Sequence, residues 1–506
     1  MRATGSRLSR CGLSLVALVA AISLLFGAAP AGAASAAGGH LVPRPLANPA
    51  AASPTVTGPV TGGNGAAVLY GTTFDLSQVG YQQSEYFVSG TASYYQPQGA
   101  LGSDGQWTVT PTGSAPYTTR MVVDRPQDPN RFNGTVVVEW INVAAGFDLA
   151  PIWLNAHNEL IRDGFAWVGI SAQAAGVNDD KAQDPVRYAA LSHPGDSYAY
   201  DIFSQAGQAV WDSAARVLGG LHPSKVLATG ESLSADWLTT YVDAVHPLVD
   251  VYDGYLVEGR GGPGAPLSQA PQPDVPGPSS LLIRTDMPVP VLTVEAETDL
   301  FTLGYLASRQ DDSAHFRLWE VAGAAHSDTY QPGLGPSDTG DGSTDVQTFN
   351  LMLNPPTQPI PGIPTFQCAS PINTGEHHYV IEGALYALSR WATLGLAPTQ
   401  APRLQMSGGS FVLDANGNVL GGVRTPSVDV PVATLSGLGQ TGQPFCTLFG
   451  TTVAFSAAKL ASLYPSHAQF VAHWSIATVL ATAAGYIRPA DAVQLIAAAL
   501  ASTVGA

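Results

Sequence analysis

Lys225-Val-Leu-Ala-Thr-Gly-Glu-Ser-Leu-Ser234 is the stretch that decides how this chain folds. The apolar run Val226 to Ala228 reads as a buried strand. It stops at Gly230, and Leu233, Trp237, Leu238, Tyr241 and Val245 then recur at helical spacing. A strand that turns sharply into a helix lifts the residue between them, Ser232, above a sheet edge. Such a turn is crowded, so the positions two before and two after the serine must be small. Gly230 and Ser234 meet that need, with Ser234 standing where the usual pattern has glycine.

The surrounding rhythm supplies the sheet. Thr135-Val-Val-Val-Glu-Trp140, Phe165-Ala-Trp-Val-Gly-Ile170, Val251 to Val257, Val289 to Val294 and Phe316 to Val321 read as strands. Helical stretches at Ile152 to Arg162 and Ser197 to Leu218 lie between them. Strands that alternate with helices imply right-handed crossovers and a mostly parallel sheet. Upstream, the short segments Phe74-Asp-Leu, Glu85 to Val88, Ala92 to Tyr95, Gln106 to Val109 and Thr119 to Val123 predict antiparallel structure.

The organisation follows. Residues 1–33 carry Arg2, Arg7 and Arg10, an apolar run at Leu13 to Phe26 that is short for a membrane span, and Ala31-Gly-Ala33. That is the layout of a secretory signal peptide. Residues 34–66 form a flexible leader, 67–400 the main α/β domain, and 401–506 a C-terminal extension expected to pack on the core. Insertions near 259–280 and 331–374 are rich in Gly and Pro and follow strands, so they are expected to act as lids. Ser410 to Leu420 reads as a hairpin about Asn416-Gly417. Helices are expected over His378 to Leu394, Ala457 to Leu463, His467 to Ala483 and Ala490 to Ser502.

Charge narrows the partners. The chain holds 21 Lys+Arg against 38 Asp+Glu, a net −17. Removing the three arginines of residues 1–33 from those 21 leaves 18 against 38, or −20. Such a surface repels nucleic acid and anionic membranes. No stable membrane span is expected after the signal is removed, and the expected location is extracellular. In that compartment Cys368 and Cys446 are expected to form a disulfide. No metal-ligand pattern such as H-E-x-x-H occurs, so neither metal nor cofactor is expected.

A serine hydroxyl needs a base within hydrogen-bond reach, and the base needs an acid to orient it. In sheets with this kind of turn the order is serine, acid, histidine, each placed after a later strand. Asp299 follows the Val289 to Val294 strand, with Glu297 as the rival acid and Asp253 a weaker one. His326 follows the last strand after a run of small residues; His377 and His378, at the mouth of the next helix, are the rival bases. An oxyanion hole would take the Leu233 N–H and an amide from the Ile141 to Asp148 loop, Asn142 or Val143. Asp196, Tyr198 and Asp201 either border the pocket or start a helix.

Several longer runs carry a resemblance. Asn133-Gly-Thr-Val-Val-Val-Glu-Trp-Ile-Asn-Val143, Trp167-Val-Gly-Ile-Ser-Ala-Gln173, Ser192-His-Pro-Gly-Asp-Ser-Tyr198, Arg317-Leu-Trp-Glu-Val-Ala-Gly-Ala-Ala-His326 and Gly421-Gly-Val-Arg-Thr-Pro426 are similar to segments of the secreted bacterial α/β-hydrolase-domain proteins. The likeness extends over roughly residues 75–500. In that family the turn tends to read G-x-S-Q-S, and Leu233 replaces the Gln here. The resemblance implies an α/β-hydrolase fold and a Ser–Asp–His hydrolase of carboxylic esters, but no particular substrate; a small-molecule or polymer-borne ester is expected. A peptidase or amidase, an acyltransferase, and a non-catalytic binding module are the other functions such a chain would fit.

Overall fold

The computed structural model describes residues 51–359 and 367–506. The signal segment and residues 34–50 of the leader lie outside the described residues, as do positions 360–366 of the second insertion.

Nine strands among the described residues form the central sheet, in the order β1-β2-β3-β5-β4-β6-β7-β8-β9. They are β1 (Thr55–Thr57), β2 (Tyr81–Pro97), β3 (Val109–Pro126), β4 (Thr135–Trp140), β5 (Ala166–Ile170), β6 (Lys225–Glu231), β7 (Gly254–Glu258), β8 (Val291–Ala296) and β9 (Phe316–Val321). From β5 to β9 every neighbouring pair is parallel. β1, β2 and β3 pair antiparallel on one flank.

The parallel strands are buried end to end because helices cover both faces, which is why they read as continuous apolar runs. Alternate side chains serve opposite layers. Val136, Val138, Val226 and Ala228 pack with Phe203, Ala206 and Val210 of the helix Ala199–Asp212, and with Ala235 and Leu238 after the turn. Val137, Leu227, Leu256 and Leu292 pack with Ile152, Trp153 and Leu160 of the helix Pro151–Arg162, and with Val380, Ile381 and Leu388 of the helix His377–Leu394.

The antiparallel flank departs from the sequence expectation. The segments Glu85 to Val88 and Ala92 to Tyr95 are one strand, β2, and Gln106 to Val109 only leads into the long β3. Phe74-Asp-Leu is no strand; Leu76–Val79 is a 3-10 turn capped by the Asp75 side chain. The helix expected over Ser197 to Leu218 breaks at Ser213 into Ala199–Asp212 and Ala214–Val217.

The chain beyond β9 returns to the sheet. Tyr486 packs edge-on against Trp319 of β9 at 5.1 Å, and the Val423 N–H donates to Glu320 O. Beyond the short pair β10 (Met406–Ser407) and β11 (Ser410–Phe411), Leu413 bridges Val419 around a turn at Gly417. A second antiparallel pair joins β12 (Ala433–Ser436) and β13 (Thr451–Ala454). The helices His467–Ala483 and Pro489–Ala501 pack with the insertion helix Ser343–Leu353 around Phe349, Phe470 and Trp474. Cys368 and Cys446 are bridged. Among the described residues no helix is long and apolar enough to cross a membrane.

Candidate active site

The carboxyl ends of parallel strands gather at one edge of the sheet, and most of the candidate residues stand there. Ser232 follows β6, Asn142 follows β4, Asp299 follows β8 and His326 follows β9. Ser232 adopts φ 58° and ψ −124°, a left-handed conformation that costs a non-glycine residue on the order of 1–3 kcal/mol. Three bonds hold it: its N–H donates to Glu258 O at the end of β7, and its carbonyl accepts from the amides of Ala235 and Asp236. Gly230 is required, because a Cβ there would lie 2.8 Å from the Ser234 carbonyl oxygen.

Ser232 Oγ lies 2.8 Å from His326 Nε2. His326 Nδ1 lies 2.7 Å from Asp299 Oδ1. Asp299 sits in the short helix Glu297–Phe301, and its other oxygen accepts from the Ala296 N–H at 2.6 Å. The His326 N–H donates to Thr298 Oγ1. Burial alone would lower the imidazole pKa, but the charges of Asp299 and then Glu231 outweigh it and lift it to about 9.

The rival residues face elsewhere. Glu297 accepts from the amides of Gly323 at 2.6 Å and Gly437 at 2.9 Å, a structural brace. Asp253 lies at the opposite end of the sheet and accepts from the Val226 N–H and Lys225 Nζ. His377 Nε2 meets Glu258 Oε1 at 2.9 Å. His378 stacks on Tyr330, ring centroids 3.6 Å apart, and burial holds its pKa well below 6.5. Neither histidine reaches Ser232. Asp196 and Tyr198 accept from Gln269 and Gln272 of the first insertion, and Asp201 accepts from the Ser93 N–H. They tie that insertion and β2 down.

One expectation for the oxyanion donors is corrected. The Asn142 amide is occupied: it donates to Leu149 O at 2.9 Å, and Leu149 donates back. Its side chain instead donates to the Glu231 carbonyl and carboxyl. The Val143 amide has no partner among the described residues, and the Leu233 N–H opens a helix whose first turn cannot satisfy it.

Three residues of the site escaped sequence reading. Glu231 and Glu258 end β6 and β7 in direct register, both buried. Gly259 has φ +59°, and a Cβ there would stand 3.0 Å from His326 Nδ1. Acidic residues at adjacent strand ends were the available signal for the first two. Among the described residues no group of three or more His, Cys, Asp or Glu is arranged to hold a metal ion.

The model of a family described as alpha/beta hydrolase domain matches residues 56–497. Solved structures with which the chain aligns include the methylesterase BT1017, at 12% identity and TM-score 0.28, covering 52% of this chain and 48% of that one. An esterase from Rhizomucor miehei aligns at 10% identity and TM-score 0.25, covering 48% of this chain and 78% of that one. A thermostable esterase from Pseudomonas putida ECU1011 aligns at 12% identity and TM-score 0.23, covering 45% and 66%. This chain thus spans about half the length of the methylesterase. No curated protein matches it.

Proposed function

The chain belongs to the alpha/beta hydrolase domain family, and from that premise we propose that it is an exported serine hydrolase that cleaves a carboxylic ester through an acyl-enzyme. One observation carries the reading: the unbroken line from Ser232 Oγ through His326 to Asp299, at 2.8 and 2.7 Å. Nothing else in the fold requires a strained serine to face a buried imidazole.

The chemistry follows from the atoms. Ser232 Oγ attacks the ester carbonyl carbon as its proton passes to His326 Nε2, and the carbonyl π pair moves onto oxygen. The Leu233 and Val143 amides receive that oxyanion. On collapse the C–O bond to the alcohol breaks and Nε2 returns the proton to the leaving oxygen. Water then repeats the sequence on the acyl-enzyme. Asp299 keeps Nδ1 protonated, so that Nε2 carries the lone pair. No step needs a metal or cofactor. Export is supported by the signal-like residues 1–33 and agrees with the cysteine bridge.

The test is covalent. A fluorophosphonate probe should label wild-type protein at Ser232 and leave Ser232→Ala unlabelled, and the variant should lose about 10⁴–10⁶ of kcat on p-nitrophenyl esters. Absence of labelling in the folded wild type overturns the reading. Matched anilides and added alcohols separate amidase and acyltransferase activity from ester hydrolysis.

A further inference from the structure

Asp299 is not the only carboxyl on His326. Glu231, the last residue of β6 and the one before the serine, is buried. Its Oε1 stands 3.3 Å from His326 Nε2, the nitrogen that faces Ser232 Oγ. The carboxyl is aimed there. Its Oε2 accepts from Asn142 Nδ2 at 3.2 Å, and the same amide group braces the Glu231 backbone carbonyl at 2.9 Å. The next carboxyl along the sheet edge, Glu258, is engaged by His377 and Asn155.

We propose that Glu231 is a positioning residue for His326: it holds the Nε2 edge of the ring as Asp299 holds the Nδ1 edge, so that the imidazolium formed when Ser232 attacks is clamped between two carboxyls. The inference rests on the serine-hydrolase reading and goes beyond it, because that mechanism assigns Glu231 nothing. In each half-reaction the proton leaves Oγ or water for Nε2 and returns to the departing oxygen. Above about pH 8, where burial no longer keeps it protonated, Glu231 contributes charge and neither gains nor loses a proton in the cycle.

The clamp has two consequences. Positive charge on the ring develops in the transition state, and a carboxylate this near in a dry site stabilises it more than water would. The same attraction favours the protonated ring at rest, which delays formation of the base until higher pH. The charged groups facing the ring are Asp299 beyond β8, Glu231 on β6 and Glu258 on β7, and Asp236, in the helix after the serine, feels the ring's charge as well. Burial pushes the Glu231 carboxyl up, the charge of His326 pulls it back, and Glu258 and Asp299 push it up again. Protons of the His326–Glu231 pair therefore leave in coupled steps.

Full-length wild type, Glu231→Gln and Glu231→Asp are compared by pH profiles of kcat and KM on p-nitrophenyl acetate, with fluorophosphonate labelling as proof of an assembled site. Glu231→Gln should be labelled, lose about tenfold or more of plateau kcat with KM little changed, and show its kcat/KM midpoint lower by roughly one pH unit. A structural role would lower the folded fraction without moving the midpoint. Should Glu231→Gln fail to fold, Glu231→Asp, with its carboxyl drawn back, should shift both quantities in the same direction by less. A folded variant with wild-type midpoint and kcat overturns the inference. An unlabelled wild type instead fails the serine-hydrolase reading itself.

Discussion

Asp299 and Glu297 are two positions apart, both buried, and they serve different ends. The reason is helical geometry: residues i and i+2 point about 200° apart. In the short helix after β8 that turns one carboxyl to His326 and the other back to the Gly323 and Gly437 amides. Asp299→Asn is therefore expected to keep the fold and lose about 10⁴ in kcat, since the amide no longer holds the right tautomer. Glu297→Gln should keep kcat within a few-fold and lose about 1–3 kcal/mol in urea unfolding, because one brace amide loses its acceptor. The opposite pattern would exchange the two roles. That Ser232, His326 and Asp299 would gather at one sheet edge was legible because each stands just past a strand whose apolar run is visible, and the preference for Asp299 over Glu297 rests on its lying further past the strand end. Glu231 was not legible, since its meaning comes from the ring it faces, and that ring arrives from a strand end 95 residues later in the chain.

The turn from β6 into the helix Leu233–Thr240 is the element on which the site depends. The sequence requirement for small residues holds in detail. A methyl group on Gly230 would press on the backbone of Ser234 at 2.8–3.0 Å, and backbone cannot step aside as a side-chain tip can. Ser234 is fully buried, and its hydroxyl has no hydrogen-bond partner among the described residues. Gly230→Ala should therefore destabilise by about 1–3 kcal/mol and slow fluorophosphonate labelling by displacing Ser232. Ser234→Ala should label at the wild-type rate with stability unchanged or slightly raised, because a desolvated hydroxyl is removed. Equal melting temperatures for wild type and Gly230→Ala would show that the turn is looser than its contacts imply. Elsewhere the buried parallel strands were legible to within a few residues. The antiparallel flank was not, and Gly90 shows why. It resembles a turn residue, yet it lies mid-strand in β2 because Gln205, from the helix Ala199–Asp212, crosses so close that a Cβ would stand 2.6 Å from its Oε1.

At the scale of the whole molecule the sequence gives least, because the contacts that matter join distant segments without local periodicity. The Gly437 amide on Glu297 and Tyr486 on Trp319 each tie chain beyond residue 367 to the sheet, while the Cys368–Cys446 bridge, which the sequence did predict, joins two segments of that chain. The same holds for charge. A net −17 suggests acids scattered over the surface, yet several lie inside. Burial raises Asp124 to about 7 and Glu139 to about 8, and raises Glu295 and Asp243 well above their ordinary range. A carboxyl with a higher pKa folded than unfolded keeps its proton in the native state where the unfolded chain has lost it. Its contribution to stability is complete below about pH 4 and is lost as pH climbs through the folded value. His326, also raised, acts in the same direction. Exposed acids with lowered values, such as Asp75 and Asp341, titrate below this window and are screened by water. Urea unfolding at matched ionic strength should therefore show the protein more stable at pH 5 than at pH 8, by at least about 3 kcal/mol. The kcat/KM profile should run the other way, rising toward pH 9 as His326 loses its proton, so the protein would be most durable where it is least active. Stability that instead rose from pH 5 to pH 8 would mean that these buried carboxyls ionise in place and are paid for by pairing.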